Sequence, residues 1–106
     1  MEFLTTIKEQ LPDWAKDIRL NLDAVIARST LAPEDAVGAA LSAAYAARSP
    51  ALVEAFKSGL SEADANAALT ASALMGMNNT WYPYVEMTGD AQLKSLPAQL
   101  RMNAYA

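Results

Sequence analysis

The chain contains no cysteine and no histidine among its 106 residues. Without cysteine there can be no disulfide framework, no thiolate nucleophile and no Cys-ligated metal site. The missing histidines remove the commonest general base and the commonest metal ligand as well. No catalytic residue, metal site or cofactor is therefore expected. Basic residues are also few, with 8 Lys and Arg against 12 Asp and Glu, for a net charge of -4. Nucleic acid and anionic lipid surfaces both call for a basic footprint, and neither is an expected partner. The opening MEFLTTIKEQ has no basic region followed by a long apolar run, so no secretory signal is read and cytoplasmic residence is expected. No run of useful length alternates apolar with polar residues, which argues against strands, and no repeat or low-complexity linker interrupts the chain.

What remains is a chain that is 53% hydrophobic and 19% charged, consistent with one globular domain over residues 1–106. Domains this small bury only about two-thirds of their unfolded surface, and oligomerisation commonly supplements them.

The stretch from Ser61 to Tyr84 organises the rest. Ser61 reads as an N-cap, with Glu62 and Asp64 at the positive end of the helix dipole. From Ala65 to Val85 there is no charged residue, and small side chains share the segment with Leu69, Leu74, Met75 and Met77. Apolar or small residues on every side predict a helix surrounded by others, breaking at or near Pro83 or kinked there. The length invites a membrane span, but Asn66, Thr70, Asn78, Asn79 and Thr80 are costly in hydrocarbon and alanine adds little drive for insertion, so none is expected.

Upstream, Phe3, Leu4, Ile7 and Leu11 share one face of a short first helix, with Thr6 and Glu9 spaced as a capping box. Pro12 then starts a second helix carrying Trp14, Ile18, Leu22, Val25 and Ile26 near period 3.6 down to about Arg28. Its other face, with Lys16, Asp17, Arg19, Asp23 and Arg28, reads as solvated. A third helix is expected from Glu34 to about Arg48; its small residues suit tight packing against the Ala65 to Met77 helix. Ser49 and Pro50 predict the start of a short helix ended by Gly59 in a left-handed C-cap. Beyond a turn at Thr88 to Asp90, a helical piece from Ala91 to Leu96 and a last segment Ala98 to Ala106 are expected, the latter anchored by Leu100, Met102 and Tyr105.

The MGMNNTWYPY end of the long helix is the least ordinary part of the chain. At helical spacing Asn78 shares a face with Leu74, Met75, Trp81 and Tyr82, so its amide is expected to be buried and hydrogen-bonded. Asn79 lies about 100° further round and cannot face the same neighbour. Paired amides that fix how helices meet are the simple account. The sharper account makes Asn78, Asn79, Trp81 and Tyr82 a ligand-binding or interface spot.

The order LPDWAKDIRLNLDAV (Leu11 to Val25), ALMGMNNTWY (Ala73 to Tyr82) and LRMN (Leu100 to Asn103) resembles the first half of the alkylhydroperoxidase D (AhpD) proteins of the carboxymuconolactone decarboxylase superfamily. The resemblance implies an all-α fold, an AhpD-like bundle of about five to six helices around a buried Ala-rich central helix, and homotrimers. It also implies an antioxidant role: reduction of peroxides with electrons from a lipoylated dehydrogenase component, and recycling of a partner peroxiredoxin. The family's chemistry rests on a Glu, a Cys-x-x-Cys pair and flanking His residues in the second half of its members. Under the pseudo-repeat of the two halves, the corresponding helix end here lies near Ala47, Arg48, Ser49 and Pro50. Serine cannot form a disulfide, and no histidine is present to activate it.

The remaining acids, Glu34 with Asp35, Glu62 with Asp64, and Glu86 with Asp90, sit at helix starts or turns, where capping explains them. Two functional readings stand. In the first, the chain is a non-catalytic structural half that forms a homo-oligomer, dimer or trimer, or joins a catalytic AhpD-like half. In the second, it is a stand-alone small-molecule binding or enzymatic domain with a pocket near Asn78 and Trp81.

Overall fold

The structure, a computed structural model, describes residues 1–105 and, at Tyr105, the backbone alone. The expected anchoring by Tyr105 and the end of the last segment at Ala106 lie outside the described residues. Six α-helices and no strand are present among them: α1 (Glu2–Glu9), α2 (Lys16–Leu22), α3 (Pro33–Ala46), α4 (Pro50–Lys57), α5 (Glu62–Thr88) and α6 (Ala91–Ser95). The architecture is all-α, as expected, and no helix among the described residues is long and apolar enough to cross a membrane.

Three helix starts follow from local capping chemistry. Ser49 Oγ accepts from the Leu52 N–H at 3.4 Å, Ser61 Oγ from the Asp64 N–H at 3.1 Å, and Asp90 Oδ1 from the Gln92 N–H at 2.8 Å. Each satisfies a donor that the first helical turn leaves unpaired. Thr6 departs from its expected capping role. It lies inside α1 and its Oγ1 donates back to the Glu2 carbonyl at 3.3 Å.

The second helix is less regular than its apolar spacing implied. A 3₁₀ turn over Asp13–Ala15 leads into α2, which continues as a π turn over Asp23–Ala27 closed by the Arg28 N–H on the Asp23 carbonyl at 2.9 Å. Its polar face is only partly solvated. Lys8 Nζ reaches Asp23 Oδ1 at 2.8 Å, and the Arg19 guanidinium donates to the Leu11 and Pro12 carbonyls, each at 3.0 Å, just past the end of α1.

The core is a cluster of Leu4, Ile7, Ile26, Val37, Leu41, Ala44, Phe56 and Ala65, with Leu41 fully enclosed. The packing of α3 on the first half of α5 is as close as their small residues imply. The Ala68 Cβ lies 4.0 Å from where a Cβ on Gly38 would stand. Ser42 Oγ donates to the Ala68 carbonyl at 2.8 Å, and Ser72 Oγ returns a bond to the Ser42 carbonyl at 2.9 Å. These reciprocal hydroxyl bonds fix the register of the two helices at short range.

Gly59 has a different reason for being glycine than the one its position suggested. Its φ is not positive; instead the Phe3 ring occupies the space a Cβ would need, and Phe3 meets Phe56 edge-on with centroids 5.9 Å apart. The left-handed glycine cap belongs to α5, at Gly89 with φ 64°.

Pro83 does not end α5, which runs on for five residues beyond it to Thr88. Proline removes the N–H that would bond the Asn79 carbonyl and crowds that carbonyl. Asn79 and Pro83 are exposed at this end of the helix, where water can reach the freed group.

The central helix is less enclosed than expected, with Ala65 the only residue of its first half that is buried. The remainder extends beyond the bundle, and only Val85 is buried there. The radius of gyration is 17.2 Å, where about 13 Å is typical for this chain length.

Candidate functional site

The second half of α5 carries large apolar side chains that are open on more than one side of the helix, while Leu74, Asn78 and Trp81 are half-buried and Val85 is buried. Pro83 is accommodated without a break, so Trp81, Tyr82, Tyr84 and Met87 continue on one helix with Met75 and Met77. Tyr82 is 57% exposed and Met87 80% exposed; Met75, Met77 and Tyr84 are also open. Aromatics and methionine are favoured at interface centres, and at 100° per residue Met75 and Tyr82 share one side of the helix while Met77 and Tyr84 share the opposite one. A second open set lies on α2 and its flanking turns. Trp14 is 86% exposed, and Ile18 and Val25 follow it on the side that the sequence marked as a buried face. Only Ile26 of that expected face is buried, with Leu22 partly so.

Asn78 departs from its expected burial. It is half-buried, and among the described residues its amide bonds no other group. The serine bonds between α3 and α5 are made earlier on the helix, at Ala68 and Ser72. Asn79 is exposed, and Trp81 is half-buried. Trp81 lines a shallow hollow of about 490 Å³ with Ala73, Gly76, Met77, Thr80 and Leu100, which Asn78, Asn79 and Tyr82 do not join. Thr80 is occupied locally, its Oγ1 donating to the Gly76 carbonyl at 2.8 Å.

A larger cavity, of about 780 Å³, lies between the end of α3, the start of α4 and the middle of α5, lined by Tyr45, Ala46, Arg48, Ser49, Pro50, Val53, Glu54, Ser72, Ala73 and Gly76. Sequence reasoning singled out Arg48, Ser49 and Pro50 only as a helix end and read no cavity there. One signal was present, an arginine where the chain leaves α3, a position that commonly takes glycine.

The acidic residues are placed as capping implied except Glu86, which lies in the last turn of α5, at the negative end of its dipole. Glu34 and Asp35 stand in the first turn of α3, and Asp90 caps α6. Glu86 approaches Lys94 at 3.8 Å. Among the described residues no group of three or more carboxylates is arranged to hold a metal ion.

The chain has curated relatives. It is 46% identical over 104 residues to the alkyl hydroperoxide reductase AhpD of Rhodospirillum centenum, a match covering 94% of this chain and 56% of the relative. The AhpD of Bradyrhizobium sp. strain BTAi1 is 41% identical over 104 residues, with 94% and 58% covered. That of Coxiella burnetii is 40% identical over 110 residues, with 97% and 62% covered. The chain thus spans about 56–62% of the length of these relatives. No protein-family model matches the chain, and no solved structure gives a significant match.

Proposed function

Because the chain is AhpD-like over nearly all of its length, we propose that it is a non-catalytic, structural part of an AhpD-like peroxide-reducing system. In this reading it supplies a helical scaffold and an association face, and a thiol-bearing partner supplies the chemistry. The single observation that carries the proposal is the residue inventory: 106 residues with no cysteine and no histidine. A dithiol peroxidase must cycle between thiol and disulfide, and no residue here can take either form. Serine near the end of α3 offers no substitute, since the Ser49 hydroxyl is engaged in capping α4.

The association face is assigned to the second half of α5, with Tyr82 and Trp81 as its aromatic centre and Asn78 and Asn79 as polar groups awaiting partners across the contact. Either a second copy of the chain, giving a dimer or trimer, or a catalytic AhpD-like half would cover it. The lipoylated dehydrogenase component and the peroxiredoxin then belong to the system as partners of the catalytic half.

The test is hydroperoxide consumption by the isolated chain with dihydrolipoamide as reductant. The expected rate equals that of a heat-denatured control. Turnover above it would overturn the non-catalytic assignment.

A further inference from the structure

We propose that the 780 Å³ cavity bounded by α3, α4 and α5 is a binding site for a small amphipathic monocarboxylate, with Arg48 as its anchor. Its volume falls within the roughly 300–1,000 Å³ usual for small-molecule sites. Ala46, Pro50, Val53, Ala73 and Gly76 give it apolar walls suited to a short hydrocarbon body.

Arg48 is the only cationic residue in that lining, and among the described residues its guanidinium pairs with no carboxylate. Glu54 shares the wall but lies 3.8 Å from Lys57 Nζ, a counter-charge on its own helix. A single unpaired guanidinium suits one negative charge, whereas the nearby Glu54 opposes a phosphate dianion. The guanidinium fork also matches the two oxygens of a carboxylate. Tyr45, whose hydroxyl makes no hydrogen bond among the described residues, lines the same cavity and can donate to the ligand.

The backbone supplies an independent reason to assign Arg48 a task. Its φ is 59°, in the left-handed region. Its N–H bonds the Tyr45 carbonyl at 3.0 Å, while the Ser49 N–H bonds the Ala44 carbonyl at 3.1 Å. These are bonds of a left-handed helix end, which glycine closes without the steric cost of a Cβ. Arginine is therefore held against the local backbone preference, and what it adds is its side chain. Were the cation present only to meet the helix dipole, lysine would serve as well. The site requires neither a thiol nor self-association, so it stands or falls separately from the structural role proposed above.

The experiment is titration of the whole chain with octanoate, followed by backbone-amide NMR and calorimetry, beside octanol and inorganic phosphate. Saturable octanoate binding is expected, with shifts centred on Tyr45, Val53 and Gly76; octanol should bind at least about tenfold more weakly and phosphate not measurably. Tenfold is about 1.4 kcal/mol, at the lower end for a hydrogen bond to a charged group. Arg48→Gly should lose octanoate binding by the same factor while its thermal midpoint holds or rises, and Arg48→Lys should bind more weakly than the unaltered chain. Absence of saturable octanoate binding, equal binding of octanol, shifts confined to other surfaces, or unchanged binding by Arg48→Gly would overturn the assignment. A lowered midpoint in Arg48→Gly would do so too, because it would make the arginine structural.

Discussion

The most informative perturbation of the association face is Tyr82→Glu, a charge placed at its aromatic centre. The accessible surface of the chain is 7527 Å². A folded monomer of 11.3 kDa exposes about 5,700 Å² on the usual size scaling, so about 1,800 Å² is in surplus. A standard interface takes about 800 Å² from each partner, less than half of that surplus. Area does not convert directly into affinity, but loss of a central aromatic anchor typically costs about 2 kcal/mol or more, a dissociation constant about 30-fold higher. A two-fold contact carries the substitution twice, which enlarges the effect. Light scattering coupled to size-exclusion chromatography at micromolar concentration should give a dimer or trimer mass for the unaltered chain and a lower mass for Tyr82→Glu. Trp14→Glu, on the other open face, should leave the mass unchanged. A monomer mass for the unaltered chain, without binding of an apolar dye, would refute the reasoning. Dissociation by Trp14→Glu and not by Tyr82→Glu would move the contact to α2.

Three further substitutions probe the fold that carries these sites. Gly59→Ala forces a methyl into the Phe3 ring and should destabilise by about 1–3 kcal/mol in urea denaturation, as overpacking does; a stabilised variant would show that Gly59 serves neither packing nor turn. Ser72→Ala removes the hydroxyl bond to the Ser42 carbonyl and should cost about 0.5–1.5 kcal/mol in the same assay. No change there would leave the α3 and α5 contact resting on small-residue packing and the Ser42 bond to the Ala68 carbonyl. Pro83→Ala restores an N–H opposite the Asn79 carbonyl within an intact helix and should stabilise by up to about 3 kcal/mol without loss of helical circular dichroism, whereas destabilisation would mean that the proline ring itself is packed.

Legibility in the sequence followed the range of the interaction involved. Ser49, Ser61 and Asp90 were readable because a cap needs only its own side chain and an N–H two or three residues on. The reciprocal serines could be anticipated only as small residues, since Ser42 and Ser72 are 30 positions apart and nothing local says that they meet. Gly59 was legible as a constrained position but not for its cause, because the Phe3 ring that excludes a side chain comes from the distant start of the chain. Arg48 was hidden for the converse reason. Sequence rules expect glycine at a left-handed helix end, and an arginine there reads as an ordinary C-terminal cation.

The second half of α5 is the instructive discrepancy. Its residues have the composition of a helix enclosed on all sides, uncharged from Ala65 to Val85, yet within one chain Met75, Met77, Tyr82 and Tyr84 stay open. Packing chemistry is encoded in the side chains themselves, whereas the identity of the covering surface is not. A run without charges suits burial against a neighbouring helix from any source, and a half-buried Asn78 with no partner among the described residues is what such a helix leaves when that neighbour is missing from its side. Asn78 also separates the possible covers. If a second copy lies across α5, Asn78→Leu should weaken the oligomer and lower stability by about 1–3 kcal/mol at chain concentrations where the unaltered chain is associated, since the amide then pairs across the contact. If the amide stays in water, the same substitution should change stability by less than about 0.5 kcal/mol at every concentration, and the polar role assigned to Asn78 at the contact would be lost.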